Sequence, residues 1–225
     1  MSDSLNEGIR LYNSKRYELA LEEFFSHTEN PEDNPTMCYY VGLCYSKMER
    51  YEEALLYLEQ VVTMHSNLLL IYQCRLILGY IYSVTKRYKL AEFELRQLID
   101  SGFESPQVYS MFGYSSYCMA RTEDSLSYLQ KALTMDPDNA NALNSIGYIM
   151  AEKDIDIPTA LSYCKTALKK DPDNAAYLDS LGWAYFKAGK LEESREYLRR
   201  AMTQSGGHKT IAVHMREVLQ GLGEA

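Results

Sequence analysis

Four histidines, five cysteines and several adjacent carboxylates are the residues of this 225-residue chain whose chemistry comes to mind first. A protein zinc site takes three or four His, Cys or carboxylate ligands at fixed spacing. None of His27, His65, His208 and His214 stand four apart, the spacing that puts two imidazoles on one helix face. His214 and Glu217 do share a face, three residues apart, but two ligands leave a zinc ion open and no third stands near them in sequence. The cysteines, Cys38, Cys44, Cys74, Cys118 and Cys164, are odd in number and lack C-x-x-C spacing. Each falls in a stretch with helical periodicity, where a packed, reduced thiol is expected. Glu52-Glu53, Glu123-Asp124 and Glu192-Glu193 offer paired carboxylates for acid–base work. Adjacent residues diverge on a helix, however. Each pair also falls at a helix start, where it meets the positive end of the helix dipole, an effect of about 0.3–1 kcal/mol. G-x-S-x-G, a phosphate loop and the kinase motifs are all missing from the sequence. The expectation is therefore no catalytic residues, no metal and no cofactor, and hence no enzyme.

The elements that carry these residues are best seen between Asp171 and Ala201. Leu178, Leu181, Gly182 and Tyr185 form one helical stripe, Gly189 interrupts it, and Leu191, Ser194, Leu198 and Ala201 form a second. Helix, tight turn, helix is the reading. Gly182 and Ser194 supply the small residues that closely packed helices need.

The unit recurs. A glycine stands at Gly8, Gly42, Gly79, Gly113, Gly147 and Gly182, in steps of 34, 37, 34, 34 and 35 residues. Small residues follow at Ala20, Ala54, Ala91, Ser125, Ala160 and Ser194, and a turn-exit aromatic at Tyr17, Tyr51 and Tyr88. Asp136-Pro137-Asp138-Asn139 and Asp171-Pro172-Asp173-Asn174 separate units, with proline to stop one helix and Asp or Asn to cap the next. This period, with Gly-x-x-Tyr, Tyr-x-x-Ala and Ala-Leu before Asp-Pro, resembles the tetratricopeptide repeat, and the last two full repeats resemble bacterial members in wording.

The resemblance implies an all-α, right-handed superhelical solenoid. Six repeats are expected over 1–34, 35–68, 69–105, 106–139, 140–174 and 175–206, followed by a C-terminal capping helix within 207–225. A single solenoid is expected, because each repeat buries its apolar face only against neighbours. Ser4 and Glu7 have the spacing of a capping box. Three extra residues around His65 to Asn67 lengthen the exit of the second repeat. Ser116 and Thr122 depart from the pattern and predict looser packing in the fourth. Lys209 to Leu222 reads as the first helix of a further repeat, with Val213, Val218, Leu219 and Leu222 in contact and Arg216 and Glu217 in water.

Composition fits a globular protein, at 46% hydrophobic and 24% charged residues. A net charge of −8 argues against nucleic acid or an anionic membrane surface as the main partner, since both need a basic footprint. Short basic pairs such as Lys169-Lys170 lie late in helices, where cations suit the dipole. The apolar run Leu68–Tyr72 is too short to span a bilayer. The opening MSDSLNEGIR lacks the basic start and apolar run of a signal peptide, so a cytoplasmic location is expected.

Function in this family lies in the groove, and the resemblance places groove positions just after each glycine and three and six residues before it. Those just after are Ile9, Leu43, Tyr80, Tyr114, Tyr148 and Trp183; among those before are Asn141, Asn144 and Asp179. The candidate peptide-binding residues are thus Tyr80, Tyr114, Asn141, Asn144, Tyr148, Asp179 and Trp183, with aromatic plates as anchors and amides to pair with a ligand backbone. The competing view is that these rings fill space between neighbouring helices. Clamp-type members grip the acidic tails of heat-shock chaperones. Their clamp positions correspond here to Leu5, Ile9, Tyr40, Gln73 and Ile77, or, in the last triplet, to Asn144, Tyr148, Ser180, Thr210 and His214. A carboxylate needs cationic donors, and with no Lys or Arg at these positions a chaperone tail is not the expected ligand. The resemblance implies a scaffold that binds a protein or peptide of unknown identity in its concave groove. The alternative is a structural subunit that self-associates through the concave face or the solenoid end.

Overall fold

Helical periodicity in the sequence becomes thirteen α-helices in a computed structural model, which describes residues 3–26, 34–64 and 67–224 and, among those residues, contains no strand. The chain divides into two compact units, Met1–Glu104 and Ser105–Ala225. The first holds α1 (Asp3–Asn13), α2 (Tyr17–Phe25), α3 (Pro35–Lys47), α4 (Tyr51–Thr63), α5 (Leu68–Val84) and α6 (Tyr88–Asp100). The second holds α7 (Pro106–Cys118), α8 (Thr122–Met135), α9 (Ala140–Glu152), α10 (Ile157–Lys170), α11 (Ala175–Lys187), α12 (Leu191–Ser205) and α13 (Lys209–Leu222).

Side-chain caps start the first helix of most pairs. Asn34 Oδ1 accepts from the amides of Thr36 and Met37, Asn67 from Leu69 and Leu70, Asn139 from Ala142, and Asn174 from Ala176 and Tyr177. Ser105 Oγ accepts from the Val108 amide. Each cap satisfies helix amides that have no partner inside the helix and is worth about 1 kcal/mol. Pro35 and Pro106 fill the first turns of α3 and α7, where a missing N–H costs nothing. The Ser4 side chain of the expected capping box lies outside the described residues; Glu7 pairs with Arg10.

The turn inside each pair is equally regular. The residue seven past the repeat glycine, Lys15, Glu49, Lys86, Ala120, Asp154 or Gly189, has φ between 54° and 74°. The next amide bonds back to the carbonyl five residues earlier, as in Arg50 to Tyr45 at 2.9 Å and Lys190 to Tyr185 at 3.0 Å. This is a Schellman closure, which needs one left-handed residue. Only Gly189 meets that need without steric cost.

Repeat glycines are small because of what faces them. A Cβ on Gly42, Gly113 or Gly182 would lie 2.6–2.8 Å from the Cγ of Leu58, Leu129 or Leu198. The partner residues Ala20, Ala54, Ala91, Ser125, Ala160 and Ser194 are fully buried, and Ser194 Oγ donates to the Gly182 carbonyl at 2.7 Å. The looser fourth repeat does not appear: Gly113 sits as close to Leu129 as Gly42 does to Leu58. Ser116 shortens the side chain but is itself fully buried.

In the first unit, Leu5, Leu11, Leu21, Phe24, Met37 and Val41 form one cluster, and Leu55, Leu58, Val61, Leu78 and Ile81 another. In the second, α13 packs on α12 and α11. It buries Ile211, His214 and Val218, while Leu219 and Leu222 are half-buried. Val213, expected among the contacts, is 47% exposed. The helix is rotated so that His214 takes the inner face. Arg216 and Glu217 are exposed.

Candidate functional site

A pocket of about 420 Å³ lies in the second unit. One wall comes from α7, through Tyr114, Tyr117 and Cys118, which share a stripe because they stand three and four residues apart. The middle comes from α9, through Asn144, Ser145 and Tyr148. Ala175, Ala176, Asp179 and Ser180 of α11 line it further, and His208 and Thr210 close it near the start of α13. Room exists because Ala175, Ala176, Ser145 and Ser180 are small where larger side chains would fill the space.

Tyr148 is half-buried and meets Tyr117 edge to face, with ring centroids 6.0 Å apart at 88°. Burial pushes the Tyr148 hydroxyl well above the usual phenol range, and the charges of Tyr117, Glu152 and Asp179 push it the same way. The Tyr117 hydroxyl is raised too, by burial first and then by Glu152.

Behind this wall, Asp179 Oδ1 lies 2.8 Å from His214 Nδ1, and both residues are buried. An ionised carboxylate only accepts, so Nδ1 carries the hydrogen in this pair. The Trp183 ring stacks on His214 at 4.3 Å and 22°, and its Nε1 donates to Glu152 Oε2 at 2.7 Å. These contacts tie α9, α11 and α13 together.

The candidate residues therefore separate. Tyr114, Asn144, Tyr148 and Asp179 line one pocket. Trp183 does not; it is 5% exposed and sealed under α13. Asn141 is exposed, with its Oδ1 accepting from the Tyr177 hydroxyl at 2.6 Å. Tyr80 belongs to the first unit, is 47% exposed, and lies beside Tyr51. Asn144 Oδ1 is buried and has no hydrogen-bond partner among the described residues.

Tyr117, Ser145, His208 and Thr210 were not among the sequence candidates. Tyr117 had a usable signal, three residues past Tyr114 on the same stripe. His214 had a weaker one, one repeat length after Asp179. Among the described residues no group of three His, Cys, Asp or Glu side chains could hold a metal ion. No helix among them is long and apolar enough to cross a membrane.

Known proteins resemble this chain in sequence and in fold. Family models described as tetratricopeptide repeat match residues 156–208 and 35–67. A TPR repeat-containing protein of Pseudomonas aeruginosa is 35% identical over 108 residues, which cover 46% of this chain and 18% of that protein's length. Among solved structures, YrrB, described as a TPR protein with an unusual peptide-binding site, superposes with a TM-score of 0.51 at 21% identity, over 89% of this chain and 97% of that one. The anaphase-promoting-complex assembly Cut9-Hcn1 gives a TM-score of 0.78 at 18% identity, over 93% of this chain and 40% of that one. A thermophilic TPR protein of Thermus thermophilus gives 0.65 at 18% identity, over 84% of this chain and 99% of that one. With the helix pairs, their register and their turns, these matches define the class: an all-α repeat solenoid whose residues 35–67 and 156–208 match the tetratricopeptide repeat.

Proposed function

We propose that this chain is a non-enzymatic protein–protein interaction scaffold that holds a segment of a partner protein in the pocket between α7, α9 and α11. The observation that carries the reading is Asn144, a pocket residue whose buried Oδ1 lacks a hydrogen-bond partner among the described residues. An unmet buried acceptor costs about 1–3 kcal/mol, and a donor on a bound ligand would remove that cost. Tyr114, at 45% exposure, adds a rigid ring with little entropy to lose on binding. The peptide-binding site described for YrrB agrees with this use of the fold. Five free cysteines, four of them buried, fit a reducing compartment, and we place the protein in the cytoplasm.

The test is Tyr114→Ala and Asn144→Ala against a partner isolated by affinity pulldown. Each should weaken binding by about 1–3 kcal/mol with an unchanged helical spectrum. Normal binding by both, with loss on changing an outer residue such as Glu196, would refute the groove reading.

A second reading has its own observation. Met202, Ala212, Met215 and Leu219 line an apolar depression on α12 and α13. This face would suit self-association through the solenoid end. A light-scattering concentration series on the wild type and Met215→Glu decides it; a monomer throughout excludes self-association.

A further inference from the structure

The geometry points to a basic side chain of the partner segment, a lysine ammonium or an arginine guanidinium, as the occupant of the pocket between Tyr114, Tyr117 and Tyr148. This rests on the groove reading above and specifies what the groove selects.

Charge is the first argument. Among the described residues no Lys or Arg lines the pocket, whereas Asp179, its Oδ1 held by His214 Nδ1, lines it together with His208. Glu152 stands behind it, fixed by the Trp183 indole. The cation close to that indole, Lys187, has its Nζ 5.7 Å from the ring centroid, pairs with Asp154 at 3.0 Å, and is not a pocket residue. A carboxylate ligand would face Asp179 with no Lys or Arg lining the pocket to receive it.

Hydrogen bonding is the second. The buried, unpartnered Asn144 Oδ1 is an acceptor. Lysine and arginine heads are donors only, so each can meet it without presenting a competing lone pair. Ring chemistry is the third. Three tyrosines border one small volume, and a cation within about 6 Å of the face of such a ring is attracted to it. The small Ala175 and Ala176 leave a path for an aliphatic stem. The tyrosine hydroxyls feel the same carboxylates: after burial and Tyr117, the charges of Glu152 and Asp179 hold Tyr148 above its usual range, and Glu152 does so for Tyr117 after burial.

The probe is a display library of randomised decapeptides selected on the immobilised full chain. An enriched peptide is then synthesised with lysine, arginine, acetyl-lysine or norleucine at its most constrained position. The expected result is a basic residue at that position and a loss of about tenfold on acetylation or norleucine substitution. That loss should shrink to about threefold or less in Tyr114→Ala and Asn144→Ala. Comparing lysine with arginine shows which head is preferred. Enriched peptides without a basic position, whose affinity still depends on Tyr114 and Asn144, overturn the inference and leave the groove reading standing. Peptides that bind regardless of both residues, or no enrichment at all, overturn the groove reading and the inference with it.

Discussion

Tyr80 in the first unit and Trp183 in the second occupy the same register, one residue past a repeat glycine, yet one is 47% exposed and the other 5%. The outer positions of the second helices differ in the opposite sense. In the first unit they carry Leu19, Leu56, Leu90 and Phe93, all exposed. In the second, exposed Asp124, Ser127, Ser162, Glu193 and Glu196 stand on the corresponding helices. The first unit therefore shows apolar surface on its second helices and also on α5, where Leu68, Leu69, Tyr80 and Val84 are exposed. The second unit concentrates aromatic surface on its first helices and braces it with the Asp179–His214 pair. Register within a repeat specifies direction; what a side chain meets there depends on the residues that the following helix presents.

The largest effect should come from truncating the two rings that share this register. Trp183→Ala removes a buried ring and its hydrogen bond to Glu152, and should destabilise the second unit by about 3–5 kcal/mol. Tyr80→Ala should change stability by less than about 1 kcal/mol, since exposed substitutions rarely do more. Denaturant titrations of both variants measure the difference; equal losses would break the comparison.

His214→Ala comes next. It strands the Asp179 carboxylate under α13 and removes the ring stacked on Trp183. Breaking one partner of a buried pair costs about 3 kcal/mol. Hydrogen exchange on the full chain should show faster exchange in α11 and α13 and unchanged exchange in α1–α6. Uniform acceleration would mean that the brace is not local.

The smallest expected effect sharpens the comparison through pH. Burial pushes the thiols of Cys44, Cys74 and Cys164 and the hydroxyl of Tyr39 up to about 12, and Tyr51 up to about 12 as well. A raised folded pKa means stability that is present below the unfolded value and lost as pH climbs towards the folded one. The window runs from about 9 to about 12 for the thiols and from about 10 to about 12 for these two tyrosines. With Tyr12 and Tyr82, which burial also raises, six such groups lie in the first unit against Tyr117, Tyr148, Cys164 and Tyr177 in the second, so the first unit's amides should lose more protection as pH rises through that range. The same or greater loss in the second unit would contradict the assignment.

Much of the fold was legible because its signals are local. The helix at Lys209–Leu222 was bounded by a glycine pair before it and Gly223 after it, and the structure has those limits. Asn139 and Asn174 announced caps through their place after Asp-Pro-Asp, and both serve as caps. The candidate site was legible in part. Tyr114, Asn144, Tyr148 and Asp179 stand at repeat positions that the family resemblance assigned to the groove, and they line one pocket. Tyr117 was missed because its position carries no repeat signature. Val213 was misplaced because a rotation of less than one residue step along α13 trades it for His214.

The sequence by itself determined where helices start, turn and stop, and which residues of each repeat share a direction. Periodicity, caps and turns act over a few residues, so each is written out within its own segment. Only the tertiary structure decided which of those directions end in solvent, in a pocket or under another helix. Trp183 is buried because His214 arrives 31 residues later to stack on it, and the pocket is open because Ser145, Ala175 and Ala176, on two different helices, are all small. Such outcomes depend on side chains contributed by separate segments to one volume, and burial, unlike helical spacing, belongs to that volume and not to any one stretch of chain.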